Sequence, residues 1–171
     1  PGHVPLDEIE GNIMLEKRMS GNAPYYVLGP LPCDSGAGYD HITAAVGAAN
    51  SARYGADLVC YITPAEHLAL PDEADVREGV RVTRLAVRIG DIAKYPDRRE
   101  LEKQVSLARR DTRWEDHMKL LMFPDKAEAI RKSRSPENQR TCTMCGSFCA
   151  MERGISLFGK DIKGDKVSIP N

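Results

Sequence analysis

The chain has 171 residues, 42% of them hydrophobic and 29% charged, with Lys+Arg 24 against Asp+Glu 25. That length allows one domain with a real core, and that composition excludes a disordered chain. A net charge of -1 offers no electrostatic case for nucleic acid, and no apolar run approaches the ~20 residues of a membrane-spanning helix.

Residues 1–6 read as a turn punctuated by Pro1, Gly2 and Pro5. From Leu6 to about Ser20, Ile9, Ile13 and Met14 give an amphipathic helix. Tyr25-Tyr-Val-Leu28 is a β-rich run ending at Gly29-Pro30, followed by the Gly-rich loop Asp34-Ser-Gly-Ala-Gly38. Asp40 suits the N-cap of a helix built on Ile42, Ala45, Val46 and Ala49 and stopped at Gly55. Leu58-Val-Cys-Tyr-Ile62 has the continuous apolar character of a strand buried on both faces. A helix over Asp72–Lys94 is expected on Val76, Val80, Leu85, Ile89 and Ile92. A polar helix from about Arg98 to Met122 and a short one at Lys126–Lys132 follow. Residues 133–140 read as a linker to a cysteine loop, and the Gly/Lys/Asp-rich tail after Phe158 as mobile. Strand–helix alternation predicts α/β with parallel strands, but two convincing strands are too few for a closed barrel. The opening at Pro1, inside a Pro/Gly turn and without methionine, leads us to expect a piece of a longer polypeptide.

Cys142-Thr-Met-Cys145-Gly-Ser-Phe-Cys149 is the strongest chemical signal. Intervals this short can bring three thiolates around one point. A cubane iron–sulfur cluster held by three cysteines keeps one iron open for a further ligand. The alternative is a structural zinc site, with Cys33, Cys60 or a histidine as fourth ligand; a non-catalytic zinc-binding interaction module would have this form. An odd count of five cysteines, three of them crowded together, does not suit a secreted disulfide framework. The start of the chain lacks a signal-peptide pattern, and a reducing, cytoplasmic setting is expected.

His3 lies in the first turn, and His67 lies past the second strand, at the end where parallel α/β folds build sites. The residues alone leave two readings: unrelated loop histidines, which is the simpler one, or a pair sharing a divalent metal. For Tyr26 on the first strand, core packing is the default and a phenol offered to a ligand the alternative. Gly36-Ala-Gly38 reads as a turn rather than a phosphate cradle. Glu66 beside His67, and Asp40 beside His41, are possible acid/base pairs; His117 reads as a surface or supporting residue. Arg131-Lys-Ser-Arg134 reads as a solvated basic face without aromatic neighbours.

In order along the chain, Pro1-Gly-His-Val-Pro5, Tyr26-Val-Leu-Gly-Pro30, Gly38-Tyr-Asp-His-Ile-Thr43, Cys60-Tyr-Ile-Thr-Pro-Ala-Glu-His-Leu68, Arg113-Trp-Glu-Asp116 and Cys142-Thr-Met-Cys145-Gly resemble the phosphomethylpyrimidine synthase family of radical S-adenosylmethionine enzymes. The resemblance covers nearly the whole chain. It implies the C-terminal part of a (β/α)8 barrel over residues 1–96, a helical segment over 97–132 and a cluster-binding tail over 133–171. It further implies a [4Fe-4S] cluster on Cys142, Cys145 and Cys149, S-adenosyl-L-methionine at the open iron, and a divalent metal, expected to be zinc, on His3 and His67. Tyr26 would contact the substrate, aminoimidazole ribotide. A homodimer that exchanges its cluster tail is also implied; the electron donor is not.

Two departures stand out. Three residues, Gly146, Ser147 and Phe148, separate the second and third cysteines where many members of the family have four. The loop Leu31–Gly38 differs from the family's usual Thr-Asp-Ile-Ala-Pro-Gly, in a region expected to face substrate. The similar 5-hydroxybenzimidazole synthase of anaerobic cobamide biosynthesis starts from the same substrate. On sequence alone the expected reaction is a lyase forming hydroxymethylpyrimidine phosphate, with the benzimidazole as the alternative product.

Overall fold

The computed structural model describes residues 2–134 and 141–158. Most of the expected linker and all of the tail after Phe158 lie outside the described residues. The chain forms two compact units, Pro1–Arg99 and Glu100–Asn171, and is mainly helical with one small parallel sheet.

In the first unit, helix α1 (Leu6–Met19) places acidic Asp7 and Glu8 in its first turn and basic Lys17 and Arg18 in its last, in line with the helix dipole. Ile9 and Ile13, one turn apart, are fully buried and form the core with Val27 and Ala56. Strand β1 (Tyr26–Val27) pairs in parallel with β2 (Leu58–Val59), Tyr26 opposite Leu58. Lys17 Nζ donates to Asp57 Oδ2 at 2.6 Å, and the Tyr25 backbone N–H donates to the same oxygen at 2.8 Å. These bonds hold the Asp57 carboxyl below its usual range and fasten α1 to the start of β2. The segment at His3 runs parallel to Leu31, with Val4 N–H donating to Leu31 O at 3.2 Å and Leu31 N–H to Gly2 O at 2.9 Å.

Helix α2 (Asp40–Tyr54) ends at Gly55, whose φ of 128° is open only to glycine at no cost. Helix α3 (Glu73–Lys94) begins with reciprocal bonds. Asp75 N–H donates to Asp72 Oδ1 at 2.9 Å, and Asp72 N–H to Asp75 Oδ2 at 3.1 Å.

Three expectations change here. Asp40 is not an N-cap: Tyr39 holds that position without a side-chain cap, and Asp40 is the first helical residue. β2 is not buried on both faces; it pairs with β1 on one side among the described residues, and Leu58 is exposed. The buried face of α3 carries Gly79, Thr83, Ala86 and Gly90, whereas Leu85 and Ile89 are half-exposed. Small residues win that face because the backbone neighbours are too close for more. A Cβ on Gly90 would lie 2.6 Å from the Ala52 Cβ, and one on Gly79 2.4 Å from the Ile62 carbonyl oxygen.

The expected helix over Arg98–Met122, most of it in the second unit, is broken. A 3₁₀ turn at Pro96–Arg98 leads into α4 (Arg99–Arg110), and α5 (Trp114–Leu120) follows. The break sits at Thr112, whose φ is 54°, a left-handed value that ends an α-helix. Helix α6 (Pro124–Ser133) starts on proline, and Arg131 stacks 3.7 Å over the Trp114 ring. The basic run therefore has an aromatic neighbour in space that its sequence does not show. A 3₁₀ turn, Gly146–Phe148, and α7 (Ala150–Phe158) complete the unit.

Candidate functional site

His3 arrives on the segment beside Leu31, and His67 arrives in the turn after β2. Their ring centres lie 5.2 Å apart. Two imidazoles on one tetrahedral zinc, with Zn–N bonds of about 2.0–2.1 Å, would place their centres about 5 Å apart. The separation fits a shared divalent cation. His67 itself has φ 62°, a left-handed value uncommon for a side-chain-bearing residue. The turn is closed by Leu68 N–H donating to Ala65 O at 2.9 Å.

Each ring also has an acidic partner. His3 Nδ1 bonds to Asp34 Oδ1, and His67 Nδ1 to Asp40 Oδ2 at 3.4 Å. The expected pairs, Glu66 with His67 and Asp40 with His41, are replaced by these. Adjacency along the chain misleads because neighbouring side chains diverge, and the carboxylates come from the β1–α2 connection instead. Asp34 was missed by sequence reasoning. Its position in a polar loop leaving the C-terminal end of a strand is the signal that could have found it. Histidines so paired match the common carboxylate–histidine–metal pattern. Among the described residues no group of three or more His, Cys, Asp or Glu converges as a metal cage.

Tyr26 does not pack into the core. Val27 takes the inward position, and Tyr26 is 55% exposed on the opposite face. The neighbouring Cys60 thiol, by hydrogen bonding, is the main cause that raises its phenol pKa. Cys60 itself is half-buried, rather than a fully buried strand thiol. His41 is buried with Nδ1 unpartnered among the described residues.

Cys142, Cys145 and Cys149 are all free thiols, Cys145 exposed and the others half-buried. The loop is folded on itself. Gly146 N–H donates to Cys142 O at 3.2 Å, and Phe148 N–H to Cys145 O at 2.9 Å. Gly146, with φ 53°, supplies the reversal. Backbone N–H groups of Met144 and Cys145 reach the Cys142 sulfur and lower its pKa toward the thiolate, the form that binds metal. The donor set and its local backbone suit a soft metal centre.

The sequence was compared with known proteins. A 5-hydroxybenzimidazole synthase from Desulforapulum autotrophicum is 71% identical over 168 residues, covering 98% of this chain and 38% of that protein. One from Geobacter metallireducens is 62% identical over 168 residues, covering 98% and 39%. A phosphomethylpyrimidine synthase from Methanosarcina mazei is 52% identical over 153 residues, covering 89% and 36%. The chain thus spans less than two fifths of the length of these relatives. The profile of the radical SAM ThiC family matches residues 1–154, from the His3 segment through the cysteine loop, and the chain belongs to that family.

Proposed function

We propose that this chain is part of a 5-hydroxybenzimidazole synthase, a radical S-adenosylmethionine lyase acting on aminoimidazole ribotide. The identity gradient carries the reading: 71% and 62% to relatives bearing that name, against 52% to a phosphomethylpyrimidine synthase. It reverses the order drawn from sequence alone, which put the pyrimidine product first. The departing loop at Leu31–Gly38 points the same way. In the longer polypeptide, the first unit would complete a (β/α)8 barrel, and the cysteine loop would belong to its cluster tail.

Membership of a radical SAM family implies S-adenosylmethionine and an iron–sulfur cluster. Cys142, Cys145 and Cys149 would hold the cluster, and their number leaves one iron position for the cofactor. Together the two groups supply one-electron cleavage chemistry when bound. Cys142 contributes a thiolate favoured by two backbone N–H groups. His3 and His67 would share a divalent cation, with zinc the expected ion, that orients substrate. Tyr26, exposed on the strand face away from the core, would contact the substrate.

The test is anaerobic turnover of the full-length protein with S-adenosylmethionine and aminoimidazole ribotide, read by mass spectrometry. A benzimidazole product is expected, and a pyrimidine phosphate would overturn the assignment. Cys145→Ala should abolish 5′-deoxyadenosine formation; undiminished formation would remove Cys145 from the ligand set.

A further inference from the structure

The two imidazoles come from distant segments, yet a single connection supplies both of their partners. Asp34 lies within the β1–α2 connection, and Asp40 is the first residue of α2. A neutral histidine carries one N–H and one lone pair, and an ionised carboxylate only accepts. Where Asp34 Oδ1 meets His3 Nδ1 and Asp40 Oδ2 meets His67 Nδ1, the proton must sit on Nδ1. The lone pair is then left on Nε2 of both rings.

We propose that Asp34 and Asp40 are positioning residues that lock His3 and His67 in the Nδ1–H tautomer, so that both Nε2 lone pairs serve one divalent cation. The proposal rests on the reading of His3 and His67 as a metal pair. The two anchors are unequal. The Asp40 side chain is 4% exposed and that of Asp34 70%. Water competes for the Asp34 bond but hardly reaches Asp40, so Asp40 should matter more. Supporting partners of this kind typically contribute about 10–100-fold to metal affinity. Asp40→Asn should therefore weaken zinc binding by about tenfold or more, and Asp34→Ala by a few-fold.

Two readouts on the full-length protein decide it, and neither needs turnover. The first is zinc titration of the metal-free protein against a competing chelator. The second is the nitrogen spectrum of ¹⁵N-histidine-labelled, metal-free protein, which separates the two tautomers. We expect the Nδ1–H form at His3 and at His67, each assigned by the signal lost in His3→Ala and in His67→Ala, and the His3 signal reverting to Nε2–H in Asp34→Ala. Asp34 is exposed, so that variant keeps its fold even if Asp40→Asn does not. A folded Asp34→Ala protein with wild-type zinc affinity and an unchanged spectrum would overturn the proposal, as would wild-type Nε2–H signals that disappear in His3→Ala or His67→Ala and so belong to those rings. Equal zinc affinity in wild type and His67→Ala would instead defeat the metal pair itself, and the tautomer signals would still report what the carboxylates do.

Discussion

His117 shows how a single side chain can defy its sequence surroundings. Within the polar run Trp114–Leu120 it reads as a surface or supporting residue; it is buried, with both ring nitrogens unpartnered among the described residues, which removes the first of these readings. Burial, and then the nearby Arg109 charge, lowers its pKa below the usual value of about 6.5. As pH falls, the unfolded chain takes up the proton before the folded one does. Its contribution to stability is therefore full above about pH 6.5 and is lost as pH drops through that value toward the folded pKa. His117→Leu should flatten this dependence and cost little at neutral pH, because no hydrogen bond is lost. Urea midpoints at about pH 7.5 and about pH 5.5 check it; a variant that keeps the full acid loss would assign that loss elsewhere. The histidines at 3 and 67 were visible as residue types near strand ends. Their carboxylate partners were not, since Asp34 and Asp40 meet them only through the fold.

The helices were legible where a chemical signal marks their ends. The stop at Gly55 and the start at Asp72 were read correctly, although the reciprocal bond from Asp75 was not, and α6 begins on Pro124, two residues before the expected Lys126. The inner faces were not legible, because periodicity is read from large apolar residues while α2 and α3 bury small ones. Gly47 is the sharpest case: a Cβ there would lie 2.1 Å from the Pro30 carbonyl oxygen. Gly47→Ala should destabilise by about 3 kcal/mol, the upper range for overpacking. Gly11, in the middle of α1, has nothing within 4 Å of its missing Cβ. Gly11→Ala should instead stabilise by about 0.5–1 kcal/mol, since glycine is a poor helix former. Denaturation midpoints of the two full-length variants should move in opposite directions. Movement in the same direction would mean that the close approach at Gly47 does not limit packing.

At the scale of the whole molecule, the family was legible because its motifs survive as local strings; the barrel that the resemblance implies rests on those strings alone, because the two paired strands among the described residues cannot announce a closed sheet. No helix among the described residues is long and apolar enough to cross a membrane. In the homodimer with exchanged cluster tails that the family resemblance implies, one subunit's cluster would serve its partner's histidine pair. Mixing inactive Cys145→Ala and His67→Ala full-length proteins should then restore up to about a quarter of turnover, given random reassortment and one intact composite site per mixed dimer. No recovery after subunit exchange would speak for sites built within one chain. One connection, running from β1 into α2, carries the partners of both histidines. Lengthening or shortening it would drag both rings off their common point at once. A changed loop that still served both histidines would therefore have to differ in its side chains while keeping its length.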